Sequence, residues 1–175
     1  MTSLRKLDVD ILFVQETHAD AELGKSYARY WPDSIWSGED RASAGVAVIS
    51  CSQRVQLQHD SALIVPGRLI AVTATIETKI ARLINVYAPS DSPTSRRNWW
   101  SQVLDIGQLD IGQELNPNAL PVIIGGNWNE ERPHRGSAMG VLSVLGVEDR
   151  STAYLSHAQN TRNGLLTVVC THCKK

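Results

Sequence analysis

Asp10-Ile11-Leu12-Phe13-Val14-Gln15-Glu16-Thr17-His18 is the stretch on which the architecture turns. Its first half is a continuous apolar run behind an aspartate, the pattern of a strand buried on both faces. Its second half is four polar residues placed where such a strand leaves its sheet, a common address for chemistry in layered α/β folds. A buried strand that ends in polar groups predicts a layered protein with a site at the strand ends.

Downstream, Ala44 to Cys51 reads as a second strand, and Arg54-Val55-Gln56-Leu57-Gln58 alternates as a half-exposed strand does. The two read as neighbours in one sheet. Arg68 to Ile76 and Lys79 to Tyr87 are dense in β-branched residues and are separated only by Glu77-Thr78, which predicts a hairpin even without the Gly or Asn that favours two-residue loops. The second run closes in Asn85-Val86-Tyr87-Ala88-Pro89, where the proline stops the strand. Ser92-Pro93 predicts a helix start, because serine can cap free N–H groups and proline suits the first turn. That helix carries Trp99, Trp100, Val103 and Leu104, with the two tryptophans read as core and lid. Arg96 and Arg97 are read as solvated.

The pentad Leu104-Asp105-Ile106-Gly107-Gln108 is repeated at once as Leu109-Asp110-Ile111-Gly112-Gln113. Five residues are not a whole number of helical turns, so an inserted pentad rotates the downstream residues by roughly 140° and takes their apolar face off the core. The duplication is therefore read as an insertion absorbed as a bulge or loop before Leu115-Asn116-Pro117. Leu120 to Asn129 predicts another buried strand, running into Gly125-Gly126 and then Asn127-Trp128-Asn129, with Trp128 expected to be buried. Met139 to Leu145 reads as a short helix, and beyond Glu148 no periodicity is sustained until Leu165 to Val169.

At 175 residues the chain predicts one domain. The 42% apolar and 20% charged content belongs to packed globular chains and excludes a disordered one. Seventeen Lys and Arg against eighteen Asp and Glu leave a net charge of −1, so there is no basic footprint of the kind that grips nucleic acid by charge alone. No uncharged apolar stretch approaches the ~18 residues of a membrane span. Arg5, Lys6, Asp8 and Asp10 occupy the place of a signal peptide's apolar segment. The expectation is an intracellular, soluble chain with no membrane partner; a nuclear location and the oligomeric state stay open. Three cysteines are too few for a disulfide-stapled fold. Cys170-Thr171-His172-Cys173 supplies one Cys-x-x-Cys, half of a structural zinc site, and is read neither as zinc nor as a redox motif.

Taken together and in order, Gln15-Glu16-Thr17-His18, Asn85-Val86-Tyr87-Ala88-Pro89 and Gly125-Gly126-Asn127-Trp128-Asn129 resemble the endonuclease/exonuclease/phosphatase superfamily. The first two motifs look most like its apurinic-endonuclease branch and the endonuclease domains of LINE-type retrotransposons. The resemblance implies an α/β fold, a four-layer sandwich of two packed mixed sheets flanked by helices. It also implies Mg²⁺- or Mn²⁺-dependent hydrolysis of phosphoesters, with DNA as the partner. By the same resemblance Glu16 matches the metal-binding glutamate, Tyr87 the tyrosine that contacts the phosphate, and Asn129 the asparagine that bonds a phosphoryl oxygen. His18 belongs to the motif without an assigned role. A hard divalent cation suits one carboxylate plus waters and substrate phosphate.

The departures are specific. Asn127 stands where the family's Gly-Asp-x-Asn motif has an aspartate that activates or orients the attacking water, and an amide cannot accept a proton. The family's first strand, with an asparagine near the metal, and its closing Ser-Asp-His motif have no counterpart here. The expectation is a partial domain over residues 1–150, truncated at both ends, with an unassigned segment over 151–175, as in a decayed or mis-spliced mobile-element copy. The primary reading is an impaired metal-dependent phosphodiesterase. Its rivals are a catalytically inactive relic or binding domain and a small-molecule phosphatase of the same superfamily.

Overall fold

A computed structural model describes residues 9–40, 44–105 and 120–129. The tandem pentad beyond Asp105, the helix expected at Met139 to Leu145, the run Leu165 to Val169, the Cys170 to Cys173 motif and the segment 151–175 lie outside the described residues. The chain divides into two compact units. Of the described residues, those up to Tyr87 together with Pro121–Asn127 belong to the first, and those from Ala88 through the second helix, with Leu120, Trp128 and Asn129, to the second.

The first unit is built on two sheets. Strands β1 (Ile11–Gln15), β2 (Ser34–Ser37) and β3 (Val46–Ser50) form an antiparallel sheet in the order β1-β3-β2. Strands β4 (Val55–Val65), β5 (Leu69–Ile76), β6 (Lys79–Tyr87) and β7 (Val122–Asn127) form a second sheet in that order, antiparallel except for the parallel β6–β7 pair. Side chains alternate between faces along each strand. Ile11 and Phe13 therefore enter one core with Val46, Val48, Ile70, Val72 and Leu83, which joins the two sheets face to face. Leu12 turns the other way and packs with Ala47, Ile49 and Trp31. Both faces of the first sheet are covered along β1 and β3, which is why these two strands read as unbroken apolar runs rather than alternations.

Helix α1 (Ala21–Ala28) packs against β2 at the edge of that sheet. Asp20 caps it, its Oδ1 accepting from the Leu23 N–H at 2.8 Å, and Pro32 follows shortly after its end. The helix meets β2 through Tyr27, whose ring lies 5.0 Å from that of Trp36. The sequence periodicity signals neither α1 nor β2, because eight and four residues are too short to establish a pattern.

Four strands stand within two residues of their expected ends, and β6 matches at both. The hairpin around Glu77-Thr78 is present, with Ile76 opposite Lys79. Glu77 takes φ +56°, the left-handed value a two-residue loop demands. The β4–β5 turn uses Pro66-Gly67, with Gly67 at φ +66° and Arg68 N–H donating to Val65 C=O at 2.9 Å, a type II turn in which glycine supplies the positive φ. Two expectations are corrected. β4 extends well past Gln58 to Val65, with a register shift between Asp60 and Ile64. β3 and β4 are not neighbours but belong to different sheets. The chain crosses between the sheets at Cys51 to Arg54, where the Ser50 hydroxyl donates to the carbonyls of Ser52 and Val55. This leaves Val55 buried between the sheets.

The second unit carries helix α2 (Pro93–Asp105). Ser92 Oγ accepts from the Ser95 N–H at 3.0 Å, the cap expected from the sequence. Trp100 is buried and Trp99 half-buried, meeting edge to face with centroids 4.8 Å apart, as core and lid. Trp128 is half-buried and stacks on Trp100 at 5.4 Å.

Candidate active site

Strand β1 ends at Gln15, and the next residue leaves the extended conformation: Glu16 has φ +56° and its side chain is exposed. The turn after it is held by backbone bonds to the segment that precedes β3. Thr17 N–H donates to Gly45 C=O at 3.2 Å and His18 N–H to Ala44 C=O at 2.9 Å. Non-glycine residues rarely adopt positive φ, yet Glu16, His18 and Ala44 all do here, and such residues persist only where surrounding contacts hold them.

Tyr87, at the end of β6, reaches across from the other sheet. Its hydroxyl donates to Glu16 Oε1 at 2.9 Å, joining two residues 71 apart in sequence. Arg68 lies over the Tyr87 ring, its guanidinium carbon 4.7 Å from the centroid, and the Tyr87 N–H donates to the Arg68 carbonyl at 2.7 Å. Burial pushes the phenol pKa above its ordinary value, and the bond to Glu16 and its negative charge push the same way against the opposing pull of Arg68. The hydroxyl therefore stays protonated at neutral pH and remains a donor.

Asn127 ends β7 directly opposite Tyr87 in the parallel register. Gly126 makes that approach feasible: at φ +138° it lies so close to β6 that a Cβ would sit 2.0 Å from the Val86 carbonyl oxygen. The first unit thus brings Glu16 and Tyr87 into contact and sets Asn127 beside Tyr87. Asn129 belongs to the second unit, where it has φ +51° and its Nδ2 donates to the Ala88 carbonyl at 2.6 Å. His18 is exposed. Among the described residues no three His, Cys, Asp or Glu side chains cluster; at the joined ends of β1 and β6, Glu16 brings an exposed carboxylate that a hard cation could use.

Two participants carry little signal in the linear pattern. Arg68 reads there only as the start of a strand. Asn85 stands within its motif without an assigned role, yet it is fully buried with both ends of its amide bonded. Its Nδ2 donates to the carbonyls of Val14 (2.9 Å) and Ala47 (2.8 Å), and its Oδ1 accepts from Gln15 Nε2 at 2.6 Å. An asparagine in an otherwise apolar strand is the available signal, since a buried amide must find partners.

Residues 1–154 match the sequence profile of the Endonuclease/Exonuclease/phosphatase family. The chain is similar to the Transposon TX1 uncharacterized 149 kDa protein of Xenopus laevis, with 26% identity over 130 residues, 74% of this chain and 9% of that protein. Among solved structures it is similar to the 3′ phosphatase NExo from Neisseria bound to a product DNA hairpin, at 25% identity and TM-score 0.47 over 73% of this chain and 50% of that one. It is also similar to SmcL, at 16% identity and TM-score 0.53 over 83% of this chain and 60% of that one, a likeness of fold. The chain spans half or less of the transposon protein and of NExo. With three ordered motifs on the strand ends of two packed sheets and a profile match over most of its length, the chain belongs to the endonuclease/exonuclease/phosphatase family.

Proposed function

We propose that this chain carries the site of a divalent-cation-dependent phosphodiesterase of the DNA endonuclease type, slowed by the amide at position 127. The observation that carries the reading is the 2.9 Å bond from the Tyr87 hydroxyl to Glu16, which binds the ends of two strands from different sheets into one polar pair. The similarity to a transposon protein favours DNA as substrate.

The residues fit a hard cation. Glu16 is an exposed carboxylate, and Mg²⁺ is commonly held by one or two carboxylates together with substrate phosphate. Bound Mg²⁺ or Mn²⁺ would polarise a phosphoryl oxygen. Glu16 anchors the cation and is itself oriented by Tyr87. Tyr87, kept protonated, has one hydrogen, which rests on Glu16 in the free chain and would turn to charge developing on the phosphate once the carboxylate holds a cation. Asn129, which the family resemblance assigns to a phosphoryl oxygen, lies in the second unit and is an amide donor of the kind that stabilises such charge. Asn127 can orient a water by hydrogen bonding but cannot take its proton, and loss of a positioned general base costs about 10²- to 10⁴-fold in rate.

The test is Mg²⁺-dependent nicking of supercoiled plasmid by the chain, by Asn127→Asp, and by Asn127→Asp combined with Glu16→Ala. The expected result is nicking by Asn127→Asp at about 10²- to 10⁴-fold the rate of the chain itself, and none once Glu16 is removed. Nicking indifferent to Glu16 would overturn the reading. No nicking by Asn127→Asp, from folded protein, would favour the second reading, an inactive relic or binding domain, which the amide at 127 itself supports. Release of phosphate from soluble phosphomonoesters without nicking would assign a small-molecule phosphatase instead.

A further inference from the structure

Gln15 and Glu16 are consecutive, yet both side chains reach β6: Gln15 Nε2 to Asn85 Oδ1 at 2.6 Å and Glu16 Oε1 to the Tyr87 hydroxyl at 2.9 Å. A regular strand forbids this, because neighbouring side chains point to opposite faces. Along β1, Ile11 and Phe13 face the core between the sheets, so Gln15 follows their side and Glu16 would turn away in an extended chain. The left-handed backbone at Glu16 breaks the alternation and returns its carboxylate to Tyr87. On β6 the two partners in this arrangement, Asn85 and Tyr87, are two residues apart and share a face.

The break has to occur at one residue and no other, and the bonds around Asn85 define where. Its Nδ2 grips Val14 of β1 and Ala47 of β3, which pair with each other in the first sheet, while its Oδ1 holds the Gln15 side chain. Regular strand is thereby enforced through Gln15, and the turn begins at Glu16. Asn85 and Ser50 are the buried polar side chains among the described residues, and the bonds of Ser50 serve the crossing to β4 instead.

We propose that Gln15 and Asn85 are a positioning pair that aims the Glu16 carboxylate at a divalent cation, an inference that rests on the reading of Glu16 as the cation-binding residue. Neither residue touches the cation. They act by fixing the strand end from which Glu16 projects, as partners behind a metal ligand do when they orient it.

The experiment is Mn²⁺ binding to the full chain, read as loss of the free-ion paramagnetic resonance signal, with circular dichroism and a thermal melt on each variant. Binding is measured well below every melting temperature. Gln15→Leu removes the donor to Asn85, and Gln15→Asn keeps an amide one methylene too short to reach it, so the second variant preserves the test should the first fail to fold. Both are expected to weaken Mn²⁺ binding about tenfold while folded. Val55→Ala, a core truncation between the sheets, should lower the melting temperature and leave Mn²⁺ affinity unchanged. Wild-type affinity in the folded Gln15 variants would overturn the pair's role, as would an equal loss in Val55→Ala, which would reduce the effect to stability. Glu16→Gln separates the two levels. Loss of binding there with normal binding in the Gln15 variants defeats only the positioning pair, whereas wild-type binding in Glu16→Gln, or none by the chain itself, defeats the reading of Glu16 and the inference with it.

Discussion

Glu16 and Glu77 have the same backbone angle, φ +56°, and opposite reasons for it. Glu77 sits in an exposed two-residue hairpin, where the pairing of Ile76 with Lys79 leaves the chain no other way to reverse. Its side chain lies on the surface within 3.7 Å of Arg54, a contact of little energetic weight in water. Glu16 faces no such local demand. Its conformation is held from outside by the Thr17 and His18 backbone bonds, by Tyr87 and by the Gln15–Asn85 bond. Left-handed backbone at an L-residue costs roughly 1–2 kcal/mol wherever it occurs. At Glu77 that cost comes from the turn, and any residue content with positive φ would serve. At Glu16 a different part of the molecule imposes it, and what it yields is the aim of a carboxylate.

Exchanging both glutamates for glycine sharpens the contrast. Glu16→Gly should leave the melting temperature within a few degrees of the parent, since relief of strain offsets the lost bond to Tyr87. In the Asn127→Asp protein it should abolish plasmid nicking. If nicking survives, Glu16 is as dispensable as Glu77 and the contrast is void. Next in size, Tyr87→Phe in the same background should lower the nicking rate about 10²-fold, as loss of one donor to developing charge does, with little change in the melt. Asn85→Ala should destabilise by about 3 kcal/mol in a urea titration, because it strands the Gln15 amide and leaves two backbone carbonyls without this donor in the interior. A smaller loss would mean that Glu16 is held no more firmly than Glu77. The smallest effect belongs to Glu77→Gly, which should stabilise by about 0.5–1 kcal/mol, strain relief less the extra chain entropy of glycine, without altering nicking.

The sequence was informative where a single strand carries its own pattern. The apolar run before Glu16, the hairpin about Glu77-Thr78 and the Ser92 cap all stand where local chemistry put them, because hydrophobic period, turn stereochemistry and capping act over a few residues. It was uninformative about α1 and β2, too short to show a period. It misled about β3 and β4, whose apolar runs are only four residues apart yet serve different sheets. Strand sequences record that a face is buried, not against which partner. Ser50 shows the difficulty: its hydroxyl closes the crossing between sheets, but a serine at the end of a strand gives no sign of that in sequence.

The same division runs through the site. The order of residue types along the chain was enough to specify the family, the strand ends that bear polar groups, and the amide at position 127, since a motif is a property of linear order. It could not specify that Glu16 and Tyr87 touch across 71 residues, that Arg68 lies on the Tyr87 ring, or that Asn85 holds Gln15 and with it the strand end below Glu16. The contact of Arg68 with Tyr87 needs β5 paired with β6, and the other two exist only after the two sheets have packed, because hydrophobic burial brings the strands together without regard to direction. It is the few buried hydrogen bonds, costly to leave unmade, that select one alignment of the strand ends.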